Sequence, residues 1–92
     1  MDIKRSFGDA LRQVRKARNM SQEDFSIISS RTYISSLERG LKSPTLEKVD
    51  IIAEEIGVHP LTLLTLAYSK NSESKSLDQL IAQIAAELGE II

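Results

Sequence analysis

Arg31, Thr32, Ser35, Ser36 and Arg39 lie within the stretch SSRTYISSLERGLKSPTL, residues 29–46, and all five can hydrogen-bond. Helix stability does not explain them, because exposed helix positions favour Glu and Lys, and small hydroxyls are mediocre helix formers. On a helical wheel, Ile34 and Leu37 define an inner face with Ser30 near it. Thr32, Ser35, Ser36 and Arg39 fall opposite, and Arg31 lies exposed in the first turn. Arginine can donate two hydrogen bonds to a guanine edge. Thr and Ser can bond bases or phosphates, and a Thr methyl can touch thymine. The chemistry on offer is reversible recognition, and a DNA major groove fits it. A merely solvated polar face is the bland alternative, which composition alone leaves open.

Glu38 falls about 40° from Ile34 on the wheel, toward the core. A carboxylate there is costly unless paired. Arg15, one turn after Leu11 at the edge of the first helix's apolar face, is the candidate partner; snorkelling of Glu38 to solvent is the other option. Catalytic chemistry is absent. The one histidine, His59, precedes Pro60 at a helix start, where a capping or surface role outweighs catalysis. No cysteine is present, which removes thiolate catalysis, disulfides and the usual structural zinc sites. ERGLKSP has one glycine and no Lys-Ser/Thr pair, so it is no phosphate loop. No metal-ligand spacing and no cofactor motif appear, and an enzyme is not expected.

Helices must position these groups, since no strand pattern appears. Ser6 can cap a first helix in which Phe7, Ala10, Leu11 and Val14 follow helical spacing, and Asn19 suits its left-handed end. Ser21 opens SQED, a weak capping box for a second helix that would bury Phe25 and Ile28. Ser29 or Ser30 would cap the third helix, and Gly40 stops it. A fourth begins at Ser43-Pro44-Thr45, with Leu46, Val49, Ile52, Ala53 and Ile56 as its apolar stripe and Gly57 at its end. Pro60 opens a fifth, PLTLLTLAY. The result is an all-α globule over residues 1–68. Residues 69–76, SKNSESKS, lack any large apolar side chain and read as a linker.

Beyond it, Leu77, Ile81, Ile84, Leu88 and Ile91 recur at spacings of 4, 3, 4 and 3, the seam of a coiled coil. Alone, such a short helix would be marginal in water. It must dock, on a second copy or back onto its own globule, and self-association is the favoured reading. Leu61, Leu63, Leu64 and Leu66 give the fifth helix more apolar surface than one core face needs, so it can join the same interface.

The net charge of −1 conceals an asymmetry. Residues 1–45 carry nine basic against five acidic groups, and residues 46–92 three against eight. The basic half can face phosphate while the acidic half faces away. MDIKR at the start is no signal peptide, and no apolar run is long enough to span a bilayer. The expectation is a soluble, cytoplasmic protein.

SQEDF followed by SRTYISSLERGLKSPTLEKVDIIAEEIGV resembles the Cro/CI-type (Xre-like) helix-turn-helix family of bacterial and phage regulators. The resemblance covers roughly residues 5–68, including LRQVRKARNMSQ, and leaves the C-terminal segment outside. It implies a five-helix lambda-repressor-like DNA-binding domain, with a C-terminal amphipathic helix appended. It also implies dimers that put the third helix in the major groove. Carried over by position, Arg31, Thr32 and Ser36 match base-reading sites, with Ser35 on the same face. Gln22, Ser30, Tyr33, Arg39 and Lys42 match backbone-contacting ones. The resemblance further implies that Arg15 and Glu38 form a buried ion pair, which takes Arg15 off the list of DNA contacts.

One departure stands out. The family commonly has about two more residues between its second and third helices, so here the second helix must be shorter or the turn tighter. On the first helix, Arg12, Lys16 and Arg18 could touch DNA backbone or simply be solvated. The expected protein is a homodimeric, sequence-specific transcriptional regulator acting on a palindromic double-stranded DNA operator. Its control would work through abundance and dimerisation, as in autoregulatory controllers of restriction–modification systems. The competing expectation is an antitoxin-like interaction module whose C-terminal helix binds a partner protein.

Overall fold

The computed structural model describes residues 2–25, 31–70 and 76–92. Among them are five α-helices, α1 (Ile3–Ala17), α2 (Arg31–Glu38), α3 (Leu46–Ile56), α4 (Pro60–Lys70) and α5 (Leu77–Ile91), and one 3-10 turn, Gln22–Asp24. No strand occurs among the described residues. The helix expected third is therefore α2. The helix expected second is described only as its opening 3-10 turn, and Ile28, Ser29 and Ser30 lie outside the described residues.

Asp2, not Ser6, caps α1: its carboxylate accepts from the N–H groups of Lys4 at 3.1 Å and Arg5 at 3.3 Å. A carboxylate suits the positive end of a helix, and it starts the helix early enough to bury Ser6 within it. Asn19 takes the left-handed conformation (φ 56°) after the helix. The Ser21 N–H then donates to Asp24 Oδ2 at 2.7 Å, which pins the 3-10 turn and delivers Phe25 to the core fully buried.

α2 ends in a Schellman motif. Gly40, at φ 72°, donates to the Leu37 carbonyl at 3.1 Å, and Leu41 donates to that of Ser36 at 3.0 Å. Thr45 caps α3 by accepting from Lys48 N–H at 3.1 Å, and Gly57 closes it at φ 89°. Leu46, expected in the α3 stripe, is 81% exposed at the first helical position. Val49, Ile52, Ala53 and Ile56 carry the stripe inward. His59 Nδ1 accepts from Leu61 N–H at 3.0 Å, so the histidine holds the start of α4. α4 continues through Lys70, past the expected start of the linker.

The core gathers Phe7, Leu11, Phe25, Ile34, Leu37, Ile52 and Leu63, with α1 packed against both α4 and α2. Gly8 makes the α1–α2 approach possible, since a Cβ there would lie 2.7 Å from the Glu38 carbonyl oxygen and closer still to that of Leu37. α5 lies along α4, capped by Ser76 and Gln79, whose side chain and backbone bond each other's at 2.9 and 3.2 Å. None of its residues is buried: Leu77, Ile81, Ile84 and Leu88 remain 41–50% exposed and Ile91 79%.

Candidate nucleic-acid interface

The buried residues of α2 are Ile34, Ser36, Leu37 and Glu38. Arg31, Thr32, Ser35 and Arg39 share one shallow depression on its outer side. Arg31, Thr32 and Arg39 are exposed and Ser35 half-buried. The Arg39 Nε–H donates to the Ser35 carbonyl at 3.4 Å, which folds that side chain back along the helix. Arg31 Nε stands 3.6 Å from Glu23 Oε1, an ion pair with both side chains in solvent. Such a pair contributes little to stability and is readily exchanged for another acceptor.

Ser36 corrects the wheel. The wheel sets it on the outer face beside Ser35, yet it is only 6% exposed. The Schellman bond from Leu41 to its carbonyl folds the chain back at this point. A helical wheel drawn through Glu38 carries no information about the chain beyond it. Ser36 therefore stands apart from the exposed depression that Arg31, Thr32, Ser35 and Arg39 share.

Beneath the surface, Glu38 is the hub that fixes α2. Arg15 Nε donates to Glu38 Oε2 at 2.6 Å and Arg15 Nη2 to Oε1 at 3.0 Å, a bidentate pair. Arg15 Nη1 also donates to the Met20 carbonyl at 2.8 Å, holding the end of α1. Glu38 Oε1 accepts further from Gln22 Nε2 at 3.1 Å and lies 3.5 Å from Arg12 Nε. Burial pushes the Glu38 carboxyl up, but the hydrogen bonds from Arg15, Gln22 and Arg12 and the attraction of Arg15 outweigh it. They hold it below the usual carboxylate range. For Arg15, the Glu38 hydrogen bond raises the pKa further against the opposing pull of burial.

This hub draws together residues whose expected roles were separate. Gln22, matched to a backbone-contacting site, has an amide hydrogen engaged by Glu38, which leaves a second for an outside acceptor. Arg12 forms the rim of the same cluster, with a half-exposed side chain. Nothing in the sequence marks Glu23, whose placement opposite Arg31 depends on the 3-10 turn.

Tyr33 is half-buried, and burial raises its phenol pKa. The Nζ atoms of Lys42 and Lys48 each lie 5.9 Å from its ring centroid. Lys42 carried an expectation; Lys48 did not, though a lysine in a helix's first turn runs against the helix dipole and is a signal of its own. Ser30 lies outside the described residues. No cluster of three potential metal-binding side chains occurs among the described residues.

Comparison with known proteins agrees with this architecture. A helix-turn-helix family model matches residues 11–63. Among curated proteins, control protein C.BamHI of Bacillus amyloliquefaciens is 39% identical over 77 residues, covering 80% of this chain and 95% of that protein. Control protein C.SmaI of Serratia marcescens is 37% identical over 75 residues, with 79% and 89% covered. An HTH-type transcriptional regulator, y4dJ of Sinorhizobium fredii, is 33% identical over 67 residues, covering 71% and 87%. No solved structure matches the chain significantly. With an outward polar helix braced by a buried Arg–Glu pair, and with these matches across most of its length, the chain belongs to the helix-turn-helix family.

Proposed function

We propose that this helix-turn-helix protein, a DNA-binding transcriptional regulator, acts as a homodimer on a palindromic or near-palindromic operator. The observation that carries the reading is the outer face of α2, where Arg31, Thr32, Ser35 and Arg39 share one exposed depression. Arg31, Thr32 and Ser35 serve as base readers. Gln22, Tyr33, Arg39 and Lys42, with Ser30, serve the phosphate backbone. Two copies insert their α2 helices into successive major grooves, with half-sites about one helical turn apart. The relatives named as control proteins support a regulatory role.

The exposed seam of Leu77, Ile81, Ile84, Leu88 and Ile91 supports self-association through α5. Apolar grooves on α4 flank α5 and include Leu61, Leu66 and Tyr68, so α4 extends the same surface. No helix among the described residues is long and apolar enough to cross a membrane, in keeping with a cytoplasmic site of action. The same exposed face of α5 also favours a second reading, in which it binds a different protein.

Selection from a random duplex pool at near-physiological salt, followed by sequencing, tests the proposal. A two-fold-symmetric motif is expected. No enrichment by a folded protein, or co-purification of a stoichiometric partner in place of a homodimer, turns the balance toward the second reading.

A further inference from the structure

We propose that Lys48 is a DNA-phosphate contact, gathered with Lys42 against the ring of Tyr33 into a two-cation clamp on the flank of α2. The assignment rests on the DNA-binding reading above. Lys42 comes from the turn after α2, Lys48 from the first turn of α3 and Tyr33 from α2 itself. Their convergence, with both Nζ atoms 5.9 Å from one ring centroid, joins three segments at one point.

A ring face attracts an ammonium through its quadrupole and leaves the full charge on it. A carboxylate would cancel that charge, and neither lysine has an ion-pair partner among the described residues. The clamp therefore stays net positive and is held in place.

Helix energetics point the same way. Lys48 is the third residue of α3, and its own N–H is held by Thr45 Oγ1 at 3.1 Å. The first turn of a helix is the positive end of its dipole, where anions are favoured and cations disfavoured. Helix stability thus gives no reason for a lysine here. An external anion does, because the helix terminus and the two ammonium groups attract it together.

Position supplies the last argument. Tyr33 adjoins Thr32, which belongs to the exposed depression on α2. A helix seated in a major groove has a phosphate ridge on each flank, and neither Lys42 nor Lys48 is among the residues that line the depression itself.

Each phosphate neutralised adds about 0.9 to the slope of log binding constant against log salt concentration. The test is duplex binding by fluorescence anisotropy over a salt series, for the wild type, Lys48→Gln, Lys48→Met and Lys48→Arg, using a selected and a scrambled duplex. Lys48→Gln and Lys48→Met, the second keeping an apolar stem on the ring, should each lower the slope by about 1.8 for the dimer–duplex complex, about 0.9 for each of its two Lys48 side chains. They should weaken both duplexes by the same factor, while Lys48→Arg retains the wild-type slope. An unchanged slope in a folded, charge-free variant, beside a wild type that binds normally, overturns the assignment alone. A wild type with no salt-dependent duplex binding overturns both the assignment and the reading beneath it.

Discussion

Arg15 Nε and Glu38 Oε2 meet 2.6 Å apart between α1 and the last residue of α2, with the Glu38 side chain wholly enclosed. The pair explains how a helix of eight residues keeps a fixed orientation. Two charges taken out of water offer little net stabilisation compared with an apolar pair, but removing one leaves the other stranded. Geometry at this site is thus guarded by the penalty for error.

Glu38→Ala is expected to lower unfolding stability by about 3–5 kcal/mol, read from urea denaturation at neutral pH. A folded protein with a loss under about 1 kcal/mol would sink the hub role.

The same carboxylate sets a pH dependence. Its pKa in the folded protein is depressed below its unfolded value, which is about 4.3. Its contribution is therefore complete above that unfolded value and disappears as pH falls through the folded one. The stability gap between wild type and Glu38→Gln should shrink as denaturation midpoints are followed below about pH 5. A gap that widened on acidification would contradict the sign.

Arg31→Ala should relax operator preference at the position it reads, by about 1–3 kcal/mol of discrimination. Ser36→Ala should leave the preferred sequence unchanged, because the residue is nearly enclosed and lies outside the exposed depression on α2. Selection with each variant separates the two: an altered motif from Ser36→Ala, or an unaltered one from Arg31→Ala, reverses their roles.

Gly8→Ala places a methyl 2.7 Å from the Glu38 carbonyl oxygen, against backbone that cannot swing aside. Overpacking of this kind typically costs about 1–3 kcal/mol. The measurement is a thermal or urea melt. A melt identical to wild type would mean that α1 and α2 sit farther apart.

Ile84→Asp puts a charge in the middle of the exposed α5 seam. Sedimentation should show a monomer with a folded globule, since Ile84 is outside the core cluster. A dimer of undiminished strength would move the interface away from α5.

The buried framework is largely legible in the sequence. Phe7, Leu11, Ile34, Leu37 and Ile52 follow helical spacing, and Glu38 betrays its partner because an acid facing a core must find a cation within one helix diameter. Asn19, Gly40 and Gly57 mark helix ends through the left-handed geometry they tolerate. What escapes depends on contacts made outside a single helix. Ser36 looks exposed until the Schellman turn bends the chain back at it. Ser6 and Asp2 both suit a cap, and the sequence does not rank them. Glu23 beside Arg31, and Lys48 beside Tyr33, are meetings between separate segments that no periodicity encodes.

The burial of α2 is lopsided. Ile34, Ser36, Leu37 and Glu38 are enclosed, Gly8 presses on the last turn, and Gly40 locks the exit, whereas Arg31 and Thr32 stand in solvent at the opposite end. Among the described residues, the enclosed side chains gather toward the C-terminal end, the root of the helix, and the exposed ones toward its tip. Arg31 lies about 10 Å along the axis from Glu38, so a tilt of about 5° at the root moves the tip by about 1 Å. That is a large part of the tolerance of a hydrogen bond. Substitutions around the root, far from any base, would thereby retune which base the tip can reach.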